Sequence, residues 1–307
     1  MSNYTNIPLL SPFKFVKSAV RNIHFDGDFA VNNIKSFERS TCYFQKWNRA
    51  DTTLLQITST IQPNNLQVYK ADGITVALSI PWTLKATPTM GVMVYECLID
   101  FTTITTDGIY YLYISGQLMT NTYAFISEAI NLRTTHSNTL LFTYYNSYND
   151  FDTFFTTNYK ASFRIEAGIM DFAPERERAA FVDEIHDIKT LSATPYRQYK
   201  LFIGEANGVA QWAFDLLNRI FSCNHVEING LQYETPEGAK WEITRVKGYP
   251  LYGGAIDISE ARNIYSSQIA SGLITPGIVA AYDINTNLFG GPDLNNDVHI
   301  EDIEIIN

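Results

Sequence analysis

A mainly β protein is predicted: two β-sandwich-like domains, the second with one long packing helix, plus an arm at each end. Three observations predict it. Short apolar or alternating runs recur about every ten residues between turn residues, the rhythm of a sandwich. Aromatic residues, which suit pleated sheets, are abundant, with 19 Tyr, 19 Phe and 4 Trp in 307 residues. Only one stretch, "WAFDLLNRIF", reads plainly as a helix.

Residues 1–22 hold Pro8 and Pro12 without periodicity and read as an arm. A sandwich domain is expected over 23–133. "STCYFQKW" ends at "NRADT", "LLQITSTI" at "QPNN", "LQVYK" at "ADG" and "ITVALSI" at Pro81; "VMVYECLIDF" and "IYYLYIS" flank "TTDG". Asp72-Gly73 and Asp107-Gly108 are the best hairpin turns of this domain. A second β-rich domain is expected over 134–258. "NTLLFTYYNSYNDFDTFF" and "ASFRIEAGI" read as strands around an aromatic loop, and "PERERAAFVDE" as a short helix or an exposed loop. "YRQYKLFIG" is a strand, followed by the helix and by "HVEING", "LQYET", "AKWEITRVKG" and "GGAIDIS". Asn229-Gly230 is a strong hairpin signal. From 259 to 307 the rhythm is lost, and a C-terminal extension is expected.

The helix is assigned to 208–222, with Asn207 as its N-cap. Gln211, Asp215, Asn218 and Ser222 form one polar stripe, and most other positions are apolar. Such a helix packs on a sheet. Trp212, Leu216 and Ile220 are its expected anchors. Asp215 has no His or Lys one turn away, so the stripe has no catalytic combination.

Composition narrows function. The formal net charge is −10, and Lys and Arg are scattered, which argues against tight nucleic-acid binding. Charged residues make up only 18%, which with many rings fits a surface that meets other subunits. Cys42, Cys97 and Cys223 lack the spacing of a zinc or redox motif, and reduced buried thiols are expected, with a Cys42–Cys97 disulfide as the alternative. The N-terminus lacks the pattern of a signal peptide, and no window has transmembrane length, so a protein soluble and intracellular when made is expected. Glu184, His186 and Asp187 lie close together but lack a second histidine one turn away, so no metalloprotease motif forms. No phosphate loop, nucleophile elbow or dinucleotide fingerprint occurs, and the expectation is a non-enzyme without cofactor. "DLNNDVHIEDIE" places Asp293, Asn295, Asp297 and Glu304 at positions 1, 3, 5 and 12 of a weak calcium loop. Val298 stands where the sharp turn requires Gly, which favours an acidic interaction tail over a metal site.

Pro195-Tyr196-Arg197, Gly204 and Gly208, Trp212, Asn229-Gly230 and Gly248-Tyr249-Pro250-Leu251 resemble a pattern in virion-associated proteins of crAss-like and related phages of Bacteroides-type bacteria. With the upstream "STCYFQKW", "YECLIDF" and "GIYYLYIS" runs, the resemblance covers residues 40 to 258. It implies a structural virion protein of the tail or neck, made in the host cytoplasm. That protein would be a homo-oligomeric ring of about twelve-fold symmetry around the DNA conduit, touching adjacent tail or neck proteins and no membrane. An acidic lumen would let genomic DNA pass without tight binding. The structural residues are then Trp212, Leu216, Ile220, Asn229, Gly230, Gly248, Tyr249 and Pro250. The alternative is a glycan- or receptor-binding module, which predicts exposed rings clustered on one loop face.

Overall fold

In the computed structural model the described residues are 5–18, 43–89, 91–118, 121–150, 152–182, 188–204, 208–245 and 251–261. The chain is mainly β, with β-sandwich-like bodies and, among the described residues, one helix. The described residues form two compact units, one from residues up to 172 with those of 199–259, the other from the described residues of 173–198 with 260–261. The two hydrophobic cores described below both belong to the first.

The first core lies between two sheets. One has the order β1 (Thr5–Asn6), β4 (Thr52–Ser59), β8 (Val92–Asp100), β7 (Thr83–Thr89). The other has the order β2 (Phe15–Ser18), β10 (Asn121–Ser127), β9 (Gly108–Leu118), β11 (Ile130–Arg133), β3 (Gln45–Asn48). In this second sheet β5 (Leu66–Lys70) pairs with β9 and with β6 (Val76–Ile80). The register explains the core. Leu55 faces Cys97 and Ile57 faces Tyr95 across β4 and β8, so these alternate positions point inward. They meet Leu66 and Val68 of β5 and Leu112 and Ile114 of β9, with Trp47 fully buried among them. The opposite face of β4, with Leu54, Gln56 and Thr58, is covered too, so burial along this strand is nearly continuous and does not alternate.

The second core lies within a sheet that closes on itself. Its strands are β14 (Ile188–Ile203), β13 (Ala161–Val182), β12 (Thr139–Tyr145), β15 (His225–Ile228), β16 (Leu231–Glu234) and β18 (Tyr252–Glu260). Pairing of β14 with β18 completes the ring, and β17 (Glu242–Arg245) adds to β18. Helix α1 (Gln211–Ile220) packs on this barrel with Ala213, Phe214, Leu216, Leu217 and Ile220 buried. Gln211, Asp215, Asn218 and Ser222 are exposed, so the polar stripe faces solvent.

Several expectations change. Asp107-Gly108 is not a hairpin turn: β8 and β9 lie in different sheets, and the link between them crosses from one sheet to the other. Asp107 instead pairs with Arg49. "PERERAAFVDE" is neither helix nor loop through Val182, since the 22-residue strand β13 continues into it and ends there; Asp183 and Glu184 lie outside the described residues. Strand β7, with Pro88 in it, had no sequence signal; proline is tolerated there because β7 stands at a sheet edge. The helix is shorter than 208–222. Its N-cap is Ala210, without a side-chain cap bond, and Asn207 lies outside the described residues. Cys97 and Cys223 are free, buried thiols, so no Cys42–Cys97 disulfide forms; Cys42 itself is outside the described residues.

Candidate functional site

The most developed polar arrangement joins the sandwich to the barrel. The turn before β4 presents Asp51, and β13 presents Arg164. The guanidinium donates two hydrogen bonds, Nε to Oδ2 at 2.6 Å and Nη2 to Oδ1 at 2.7 Å, and both residues are buried. Asp51 Oδ2 also accepts from the amide of Asn48, and Arg164 Nη1 donates to Thr139 Oγ1. Nearby, Thr53 Oγ1 donates to the carbonyl of Ser162 and accepts from its amide, both at 2.9 Å. A buried charge is tolerable only when paired and hydrogen-bonded, and this pair meets both conditions.

A second set lies on the outward face of β4 and β8. Gln56 and Glu96 are cross-strand neighbours, and the amide of Gln56 donates to Glu96 Oε1 at 2.8 Å. The connection from β12 to β13 folds over them. Gln56 exchanges hydrogen bonds with the backbone of Phe154, and the hydroxyl of Thr157 donates to Glu96. The rings of that connection turn inward, with Phe155 4% and Tyr159 1% exposed. Burial, more than the nearby Glu96 carboxylate, pushes the Tyr159 hydroxyl far above its ordinary range.

The N-terminal segment and α1 form a third feature. Trp212 is partly buried, and its indole N–H donates to Glu128 Oε2 at 2.8 Å while its ring meets Tyr43 and Phe163 edge-on. Burial, then the carboxylates of Glu166 and Glu128, hold the Tyr43 hydroxyl protonated. Lys46 pairs with Glu166 at 2.9 Å. A cavity of about 320 Å³ opens between residues 5–15 and α1, with Lys14, Asp215 and Arg219 among its walls. Asp51, Arg164, Gln56 and Glu96 do not line it.

The anticipated residues are distributed, not convergent. Leu216 and Ile220 are buried beneath α1, while Trp212 sits at the margin of the same core. Asn229 and Gly230 form the β15–β16 turn with φ of +50° and +83°, and Asn229 Oδ1 accepts from the amide of Leu141 at 3.0 Å. The glycine pair of the Gly-x-x-x-Gly pattern has a steric cause. At Gly204 a Cβ would come within 2.7 Å of the Tyr252 carbonyl, and at Gly208 within 2.7 Å of Leu251 Cβ. Both have positive φ, +69° and +72°. Gly248, Tyr249, Pro250, Glu184, His186, Asp187 and the calcium-loop residues Asp293, Asn295, Asp297 and Glu304 lie outside the described residues. Among the described residues no cluster of three or more His, Cys, Asp and Glu is placed to hold a metal. No described helix is long and apolar enough to cross a membrane.

Sequence reasoning missed the junction. Asp51 and Arg164 are 113 positions apart, and Gln56 and Glu96 are 40 apart. No family model, curated protein or solved structure matches the chain.

Proposed function

We infer that the protein is a structural subunit of a tailed-phage virion, assembling as a ring in the tail or neck around the DNA path. The single observation that supports this most is the length of β13 and β14, 22 and 16 residues. Ordinary strands run about 5–6 residues, and a two-stranded ribbon is marginal in water without a neighbour. Residues 173–182 and 188–198 of these strands belong to a unit separate from the one that holds both cores. A ribbon of this kind is best accounted for by pairing with other copies of the chain. The low charged fraction and the net charge of −10 fit subunit contacts and a conduit that DNA slides through.

The glycan-binding alternative requires clustered exposed rings. Among the described aromatic residues Tyr148 stands out, at 62% exposure, while Tyr144, Phe155 and Tyr159 are buried. The deciding experiment is sedimentation velocity with negative-stain imaging on the full chain and on a variant whose residues 174–195 are replaced by Asn-Gly. A closed ring from the full chain, and a folded smaller species from the variant, are expected. A full chain that stays monomeric at every concentration and binds on a glycan array would transfer the function to the alternative.

A further inference from the structure

Residues 5–18 are held as a docked peptide would be. They add one strand to the edge of each sandwich sheet, β1 on β4 and β2 on β10. Between these strands Leu10 enters the barrel core and Phe13 the sandwich core, at 3% and 2% exposure, with Phe13 stacked on Trp47 at 5.2 Å. Apart from the tight turn at Pro8–Phe13, the described hydrogen bonds of residues 5–13 reach partners at least 33 positions away. Gln45 donates to the carbonyl of Pro12, Tyr144 to that of Leu10 and Arg219 to that of Leu9, while the amide of Leu9 donates to Asp152.

No contact of this set is local in sequence beyond that turn. The same segment of another copy would therefore find the same seat with the same chemistry. What selects between them is effective concentration. Ser18 and Tyr43 are joined by residues 19–42, whose length alone spans up to about 80 Å when extended. The length of that connection limits the effective concentration within one chain to about millimolar, which subunits held side by side also reach. Pro8 and Pro12 restrict the segment before it docks, which lowers the ordering cost on any acceptor. The segment also bridges over open space: the cavity of about 320 Å³ lies between it and α1, and Leu9 is 58% exposed.

We propose that residues 5–18 are exchanged between copies, the segment of one subunit seating on β4, β10 and the Leu10 and Phe13 slots of its neighbour. This rests on the oligomeric reading above. The partner is a second copy of this chain, and exchange makes each subunit's two sheets complete only within the assembly.

Thr5 Oγ1 and Ser59 Oγ are 2.8 Å apart, so cysteines at these positions fall within disulfide reach. Full-length Thr5→Cys and Ser59→Cys chains, each also Cys42→Ser and separately tagged, are co-expressed and mildly oxidised. Non-reducing denaturing electrophoresis reads the mixed disulfide, and sedimentation velocity reads the size of the same sample. The expected result is an oligomer in which up to about half of the Thr5→Cys chains are joined to Ser59→Cys chains, the share set by random mixing around a closed ring. That yield should exceed by about tenfold a Thr5→Cys with Ile74→Cys control, which lacks the juxtaposition that raises effective concentration. An oligomer without the mixed disulfide, whose Thr5→Cys/Ser59→Cys double variant closes within one chain, overturns exchange and leaves the oligomeric reading standing. A monomer at every concentration with the same internal closure overturns both.

Discussion

At the scale of single residues, two of the ion pairs among the described residues are of opposite kinds. Asp51–Arg164 is buried and bidentate; Arg49–Asp107 is exposed, with side-chain exposures of 29% and 48%. Removing one member of a buried pair strands the other in a poorly solvated place, at a cost of about 3–5 kcal/mol. An exposed pair is screened by solvent and contributes far less. Arg164→Ala should therefore lower unfolding stability far more than Arg49→Ala in urea titrations, and adding Asp51→Ala to Arg164→Ala should recover part of the loss. Equal effects from the two single variants would show that the junction is solvated. His136 offers a pH test. Burial, the largest influence, holds its pKa below the ordinary 6.5, although its ring N–H donates to the Asn131 carbonyl. A depressed histidine means that the unfolded chain binds the proton first. Stability is then lost as pH falls from about 6.5 through the folded-state value and is unaffected above that window. His136→Gln should flatten this part of the pH–stability curve, and an unchanged slope would assign the acid sensitivity to other groups.

At the scale of elements, the connection between β14 and α1 depends on backbone approach. Gly208 has φ of +72°, and an added Cβ would meet Leu251 at 2.7 Å, whereas at Gly230, φ +83°, nothing lies within 4 Å. Gly208→Ala should thus combine strain with overpacking and cost more than about 1–3 kcal/mol, against about 1 kcal/mol for Gly230→Ala, where only the backbone conformation opposes the change. Denaturant midpoints of the two variants check the order. The helix follows from its pattern. Its polar stripe is solvent-facing and its apolar residues enter the barrel core, so the 3.6-residue period was legible without tertiary information. Its start was less legible. Polar capping was expected upstream, yet the cap is Ala210, itself 1% exposed in the core, so packing and not a side-chain hydrogen bond sets where the helix begins.

At the scale of the molecule, the two cores are tied together three times. The buried ion pair joins β13 to the turn before β4, the β12–β13 connection closes over Gln56 and Glu96, and residues 5–18 place Leu10 in one core and Phe13 in the other. Couplings of this kind make unfolding cooperative. Calorimetry should show one main transition for the unit holding both cores, with calorimetric and van't Hoff enthalpies in agreement. Two resolved transitions, each assignable to one core, would show that the ties are weak.

The sequence by itself determined what is local: most strand segments, the helix with its solvent face, and the Asn229-Gly230 hairpin. These follow from side-chain period and backbone sterics, which act over a few residues. Only the tertiary structure decided which sheet each strand joins, that Asp107-Gly108 leads from one sheet to the other, and that β13 runs on through a charged stretch. It also decided that Asp51 meets Arg164 across 113 positions and that Leu10 and Phe13 fill different cores. Those outcomes depend on which surfaces bury one another. That is a competition among distant segments, and no window of neighbouring residues contains it.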